Sequence, residues 1–261
     1  MGAWRCSETW TSGLRLIVDM LQCRLARSRR LPNHNARRLV RLKPGLFVTY
    51  RLNHGDLQAL REVIFEECYR PARPFLPTTL VDLGANIGLT SLWLWKRFGF
   101  SKVIAIEPDS ANVAILKENF RINGVPGTIG QGVVGPPSKT ALFACSAHSV
   151  LGRIDAEGIV VDVIDLDPLL QRECVGLVKM DIEGAEQDLV AGSVQWLTNV
   201  QAIIVELHPT IVDCRYVVSR LVSAGLQYVP ANSEGWANAD FFFRPESVGS
   251  RGQDTRRYSR G

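Results

Sequence analysis

No stretch of this 261-residue chain approaches the roughly 18 consecutive apolar residues that a membrane-spanning helix requires, so the sequence predicts a soluble protein. Cys-x-x-Cys pairs are also missing, no histidine stands at ligand spacing, and the six cysteines (6, 23, 68, 145, 174 and 214) are scattered. That pattern argues against a zinc module or a disulfide framework. It points to reduced, mostly buried thiols in a cytoplasmic protein with no metal site. A basic footprint is lacking where a nucleic-acid binder would need one. The net charge is +4, but residues 1–45 carry ten Lys and Arg against two acids, and 246–261 carry four against two. The stretch between them therefore holds sixteen basic against twenty-two acidic residues, a net −6, and no nucleic-acid partner is expected. The length suffices for one substantial core.

What is present is a glycine turn between two buried strands. Val81-Asp82-Leu83-Gly84-Ala85-Asn86-Ile87-Gly88 is followed, nineteen residues after Gly88, by Glu107 in Val103-Ile104-Ala105-Ile106-Glu107-Pro108. Glycines admit close approach of a ligand to the backbone, the following helix presents free N–H groups, and an acid about 20 residues on can accept both hydroxyls of a ribose. The bland alternative is an ordinary strand-turn-helix junction with a surface acid. A dinucleotide fingerprint would need glycine at 84, 86 and 89, where this chain has Gly84, Asn86 and Leu89. A pyrophosphate ligand is thereby disfavoured against S-adenosylmethionine (SAM), which has a ribose and an adenine but no phosphate.

Downstream come Val178-Lys179-Met180-Asp181-Ile182-Glu183-Gly184-Ala185-Glu186 and Ala202-Ile203-Ile204-Val205-Glu206-Leu207-His208-Pro209. Together with the turn and Glu107, and from about Arg51 through Asp56 and Tyr69 to Pro209, the chain resembles the FkbM-type family of SAM-dependent methyltransferases. Its most specific element is the Asp-x-Glu-Gly-x-Glu segment. The resemblance implies a Rossmann-like class I methyltransferase fold and methyl transfer, usually to a hydroxyl oxygen. A small-molecule or glycan-like hydroxyl acceptor is the expected partner. An N-methyltransferase of the same fold and a non-catalytic SAM-binding module are the alternatives, and the second would be marked by loss of the strand-end acids.

Periodicity predicts a hairpin over 38–51 turning at Lys43-Pro44-Gly45, and a helix over 56–68 with Leu57, Leu60, Ile64 and Cys68 as its apolar stripe. Strands 79–83 and 102–107 lead to helices 88–98 and 110–122, the latter capped by Asp109 and stopped at Asn123-Gly124. A strand over 128–134 ends at Gly135-Pro136-Pro137, and short strands near 140–145 and 159–164 precede a helix capped by Asp167 with Pro168 in its first turn. Strand 176–182, helix 184–196 and strand 201–207 complete a mostly parallel α/β sheet with helices on both faces. Strands near 226–229 and 239–244 give it an antiparallel finish. Three parts are expected: a basic helix and hairpin extension (1–50), the methyltransferase domain (51–245) and a basic disordered tail (246–261).

The N-terminal segment places Leu14, Ile17, Val18, Leu21 and Leu25 on one helical face, with Arg15, Arg24, Arg27, Arg29 and Arg30 around and after it. A helix docked on the domain, an organelle-targeting segment and a membrane-surface helix all fit that pattern. Met1-Gly2 opens like a myristoylation site, but Cys6 stands where Ser or Thr is required.

Ligands of such sheets bind at carboxyl ends of strands, where Gly84, Asn86, Glu107, Asp181, Glu206 and His208 should converge. Glu107 would take the ribose, Asp82 or the Gly84-Asn86-Gly88 backbone the methionyl end, and Gln131 and its neighbours the adenine. Asp181, Glu183 and His208 are the catalytic candidates, because an alcohol acceptor must lose its proton. Asp181 has an alternative as a helix cap, Glu186 as a solvated or pairing residue and His208 as a satisfied structural histidine. A divalent cation on Asp181, Glu206 and His208 is conceivable but has no ligand motif behind it. Lys179, inside a strand covered on both faces, needs a buried partner, most plausibly Asp82 or Glu206.

Overall fold

The computed structural model describes residues 2–25, 35–135, 140–144, 153–154, 158–231 and 239–245. Arg27, Arg29, Arg30, Cys145, the Pro136-Pro137 stop and the 246–261 tail lie outside the described residues.

Two helices, α1 (Gly2–Cys6) and α2 (Trp10–Leu25), precede a hairpin of β1 (Arg37–Leu42) and β2 (Leu46–Arg51). Helix α3 (His54–Leu60) runs into a π-helical turn (Arg61–Phe65), so the helix expected over 56–68 changes pitch at its middle. Its N-cap is Asn53, whose side chain accepts from the Asp56 N–H. Then come β3 (Thr79–Leu83), α4 (Leu89–Phe98), β4 (Lys102–Glu107), α5 (Ser110–Asn123) and β5 (Gly127–Gln131). The Asp109 cap and Gly124 stop of α5 are as expected.

The strand expected over 128–134 is broken at Gly132. There the chain leaves the main sheet and enters a second one as β6 (Val133–Val134), beside β7 (Thr140–Ala144), β8 (Arg153–Ile154) and β9 (Ile159–Ile164). A Cβ on Gly132 would lie 2.6 Å from the Asp162 carbonyl oxygen, so only glycine allows the crossing. Helix α6 (Leu166–Leu170) is capped by Asp165, not Asp167; the Asp167 carboxylate instead accepts from the Trp196 N–H at 2.7 Å.

The chain finishes with β10 (Val175–Met180), α7 (Glu186–Ala191), a 3₁₀ turn (Gln195–Asn199), β11 (Ala202–Val205), α8 (Cys214–Ser223), β12 (Gln227–Val229) and β13 (Asp240–Phe243). The helix expected over 184–196 is thus two short pieces, and β10 stops one residue before Asp181. Asp181 is not a helix cap, since the N-cap of α7 is Ala185 with no side-chain bond.

The main sheet runs β12-β13-β11-β10-β3-β4-β5. The pairs from β11 to β5 are parallel, and β13 is antiparallel to both neighbours. Alternate residues feed two cores. Leu80, Val103, Ala105, Leu177 and Ile204 pack with α4 and α5 on one face; Val81, Leu83, Ile106, Val178 and Ile203 pack with α6, α7 and α8 on the other. Strand order reverses between β3 and β10, which sets the ligand-binding end of the sheet at their carboxyl termini.

The N-terminal elements join the first of these cores. Asn119 of α5, fully buried, is bonded to both the N–H (2.7 Å) and the carbonyl (3.0 Å) of Thr49 on β2. Helix α2 docks through Ser12, Leu16, Asp19 and Cys23, with Tyr50 donating to Asp19 at 2.6 Å. Of the stripe read from the sequence, only Ile17 packs partly against the core; the rest is turned outward, with Leu14 47% exposed, Val18 41%, Leu21 51% and Leu25 79%. Leu16→Ala should therefore cost about 2–5 kcal/mol, while Leu14→Ala should stay within about 0.5 kcal/mol of wild type. Equal thermal shifts in the two variants would overturn this docking.

Candidate active site

Two groups of side chains meet where β3, β4, β10 and β11 end. The first surrounds the β3 turn. Gly84 (φ 74°), Asn86 (φ 49°) and Gly88 (φ 86°) all take left-handed backbone. At Gly84 a Cβ would fall 1.8 Å from the Asp181 carbonyl oxygen, and at Gly88 one would fall 2.5 Å from a Leu116 methyl. Gly84 is thus required by a backbone contact within the protein, and Gly88 by its left-handed backbone, before any ligand is considered.

The left-handed Asn86 aims its N–H at Glu107 Oε2, 2.8 Å away. Glu107 Oε1 accepts from the Asp109 N–H (3.0 Å) and from Asn112 Nδ2 (3.1 Å). Asn112 is fixed in turn by Arg51, which donates to its Oδ1 at 2.7 Å and binds the fully buried Asp56 in bidentate fashion through Nε and Nη2. Glu107 is 5% exposed. Burial pushes its carboxyl up to about 7, and the three donors only partly offset this. Gln131 is the register partner of Glu107 on β5 and is exposed.

Asp82 does not reach this surface. Fully buried, it accepts from Ser91 Oγ at 2.6 Å and lies 3.3 Å from Lys179 Nζ, its register neighbour on β10. Lys179 also donates to the Gly84 carbonyl at 2.8 Å, lies 3.7 Å from Asp181 and sits over the Tyr69 ring at 5.3 Å. The partner expected for this buried lysine is therefore Asp82, with Asp181 added and Glu206 not paired to it. Burial pulls the ammonium down, but Asp82 and then Asp181 more than offset that and hold it charged.

The second group follows β10. Asp181 Oδ2 accepts from the Tyr69 hydroxyl at 2.9 Å, and the same hydroxyl lies 2.7 Å from Glu206 Oε2. His208 Nε2 is 3.7 Å from Asp181 Oδ1 and 3.4 Å from Glu183 Oε2; its Nδ1 is 2.9 Å from Glu186 Oε1. Glu186 is fully buried and also accepts from the Ile182 and Gly184 N–H groups at 3.3 Å each. It is a pairing residue, and it closes the Asp-x-Glu-Gly-x-Glu loop on which Glu183 (φ 54°) and Gly184 (φ 101°) are left-handed.

The hydrogen bond to Glu186 outweighs burial and raises His208 to about 9. Burial, then Asp181, raises Glu183 to about 7. The acids around His208 thus favour its charged form, which suits an electrostatic partner better than a base. Asp181, Glu183 and His208 each bring one ligand-type atom within 4.8 Å of the others. Glu206 is not part of that trio.

Of the residues expected at the site, Gly84, Asn86, Gly88 and Glu107 form the first group, with Gln131 beside Glu107 in register, and Asp181, Glu183 and His208 form the second. The Lys179–Gly84 bond and the Gly84–Asp181 approach join them. Sequence reasoning missed the roles of Tyr69, Arg51 and Asn112, while Glu186 is the pairing residue that it allowed. Only Asn112 carried a readable signal, three residues into the helix whose Asp109 cap faces Glu107.

A doubly wound parallel sheet with an antiparallel closing strand, strand-end acids and a glycine turn defines a Rossmann-like α/β enzyme domain. The model of the methyltransferase FkbM domain matches residues 82–228, and the chain belongs to that family of methyltransferases. Methyltransferase 1 of Beauveria bassiana (strain ARSEF 2860) is 26% identical over 214 residues, covering 69% of this chain and 84% of that protein. Methyltransferase sdnD of Sordaria araneosa is 25% identical over 177 residues, covering 51% of this chain and 66% of that protein. Among solved structures, the methyltransferase FkbM from Methylobacillus flagellatus KT superposes with a TM-score of 0.50 at 18% identity. It covers 72% of this chain, which spans about half (54%) of that longer protein, and it bears on the fold alone. The protein is an enzyme that transfers methyl groups, and among the described residues no helix is long and apolar enough to cross a membrane.

Proposed function

We propose that the methyl donor is S-adenosylmethionine, and that the acceptor is a hydroxyl oxygen of a small molecule or glycan-like substrate. The observation that carries the donor assignment is Glu107 at the end of β4. Its Oε2 has a single protein donor, which leaves a lone pair on a buried carboxylate. Beside it Asn86 Oδ1 is buried with no partner, as a site for hydroxyl or amino groups requires. The residues present therefore fit a ribose-bearing ligand, with Gly84, Asn86, Gly88, Glu107 and Gln131 as the holding set and Asp82 supporting the turn from beneath. When bound, SAM supplies a methyl group on a sulfonium cation, a charge that the excess of carboxylates here complements.

Asp181 is the base in this reading. It is the carboxylate with Lys179 and His208 both at 3.7 Å, and the hydroxyl proton of the acceptor would pass to it. Glu183 and His208 orient the acceptor, His208 as a cation. The catalytic apparatus falls within 51–245, while the first 50 residues complete one face of its core. The strand-end acids whose loss would mark a non-catalytic module are all retained.

Calorimetry with SAM, S-adenosylhomocysteine and NAD tests the donor. Binding of the first two with no binding of NAD is expected, and NAD binding without SAM binding would sink the reading.

A further inference from the structure

The Tyr69 hydroxyl touches two carboxylates at once, at 2.9 Å to Asp181 Oδ2 and 2.7 Å to Glu206 Oε2. A phenol has one proton to give. If both carboxylates were ionised, one of these contacts would bring two lone-pair-bearing oxygens together with no proton between them. Buried hydrogen-bonding groups do not tolerate such a contact, and Tyr69 is only 5% exposed. The string therefore holds one proton more than its fully ionised form.

Its surroundings say where that proton sits. Asp181 has Lys179 Nζ 3.7 Å from one oxygen and the His208 ring 3.7 Å from the other, with the Glu183 carboxylate across that ring. Glu206 forms no ion pair among the described residues. It faces Tyr69, Asp181 and the buried Cys68 thiol, with Lys179 and His208 further off. Glu206 is exposed as a residue, but its Oε2 end abuts the buried phenol.

We propose that Tyr69 is a positioning residue that sets the proton inventory of the site. A protonated Glu206 donates to the phenol oxygen, and the phenol donates to an ionised Asp181, which keeps that carboxylate free to take a proton from the acceptor. This rests on Asp181 being the base, but the proton itself exists in the resting protein whether or not Asp181 acts as one. Burial and then Asp181 raise the titration of Glu206 and outweigh the lowering by the Tyr69 contact, Lys179 and His208. Tyr69 also carries the Lys179 ammonium on its ring, so one side chain fixes both the hydrogen bond to Asp181 and the seat of its counter-ion.

Difference infrared spectroscopy of the substrate-free, full-length protein at pH 8 reads the proton directly. The wild type should show a protonated-carboxyl band that Glu206→Gln removes, and Asp181→Asn, which frees the phenol proton for Glu206, should weaken it. A band unchanged by Glu206→Gln, or no such band, overturns the proposal irrespective of catalysis. With an acceptor in hand, Tyr69→Phe should lower kcat by at least tenfold with KM within threefold. It should also move the acid limb of the kcat profile, since Asp181 loses the Tyr69 hydroxyl as a donor. A fall in kcat with an unmoved acid limb means that Tyr69 only packs, and it overturns the positioning role. If Tyr69→Phe fails to fold, the Glu206→Gln spectrum decides alone.

Discussion

Asp181→Asn should lose about 10² to 10⁴ in methyl-transfer rate, the range that general-base help supplies, while SAM affinity stays within a few-fold of wild type. The amide keeps the shape of the side chain and can still accept from Tyr69, so the loop after β10 should hold its course. What it cannot do is take a proton from an alcohol. It also removes the charge that Lys179 and His208 both address at 3.7 Å. SAM affinity and turnover must be measured on the same preparation. Activity within a few-fold of wild type would reduce Asp181 to a structural residue.

Glu107→Ala should weaken SAM binding roughly ten- to a hundredfold, because hydrogen bonds to a charged group contribute about 1.5–3 kcal/mol. The same carboxyl makes binding pH-dependent. Its pKa rises from 4.5 to about 7 on folding, because burial disfavours the charge. Between those values the folded protein holds a proton that the unfolded chain has lost, so this group's contribution to stability declines as pH rises across the window. The charged acceptor is developed only above about pH 7. SAM affinity should therefore strengthen as pH rises from 6 to 8, and Glu107→Ala should flatten that dependence. An unchanged dissociation constant in the folded variant would take Glu107 out of the site.

The central fold was legible because its information is local. Strand, glycine turn and helix succeed one another within a few dozen residues, and the acid that ends β4 follows its turn at a fixed offset. Caps such as Asp109 declare themselves the same way, through bonds two and three residues on. Local signals failed where a nearby competitor was equally suited. Asp165 and Asp167 can each cap α6, and only the Trp196 N–H, 29 residues on, withdraws Asp167 from that role. Gly132 breaks its strand because of the Asp162 carbonyl, and no short window contains both.

The sequence by itself determined the alternation of strands and helices, the glycine turn at Gly84 to Gly88 and the placing of Glu107, Asp181 and Glu206 at strand ends. Each of these depends on residues close in the chain. Only the tertiary structure decided which side chains those acids meet. Tyr69 lies 112 residues from Asp181 and 137 from Glu206, yet it bonds to both, and Glu186 is buried because His208 arrives from the next strand. It also decided which face of α2 is covered. Periodicity ranks Leu14, Val18 and Leu21 as the inward stripe, but the hairpin offers Tyr50 and Arg38 to Asp19, and satisfying that buried carboxylate turns the helix the other way. A helix carries its pattern within itself, whereas the surface it buries belongs to whatever packs against it.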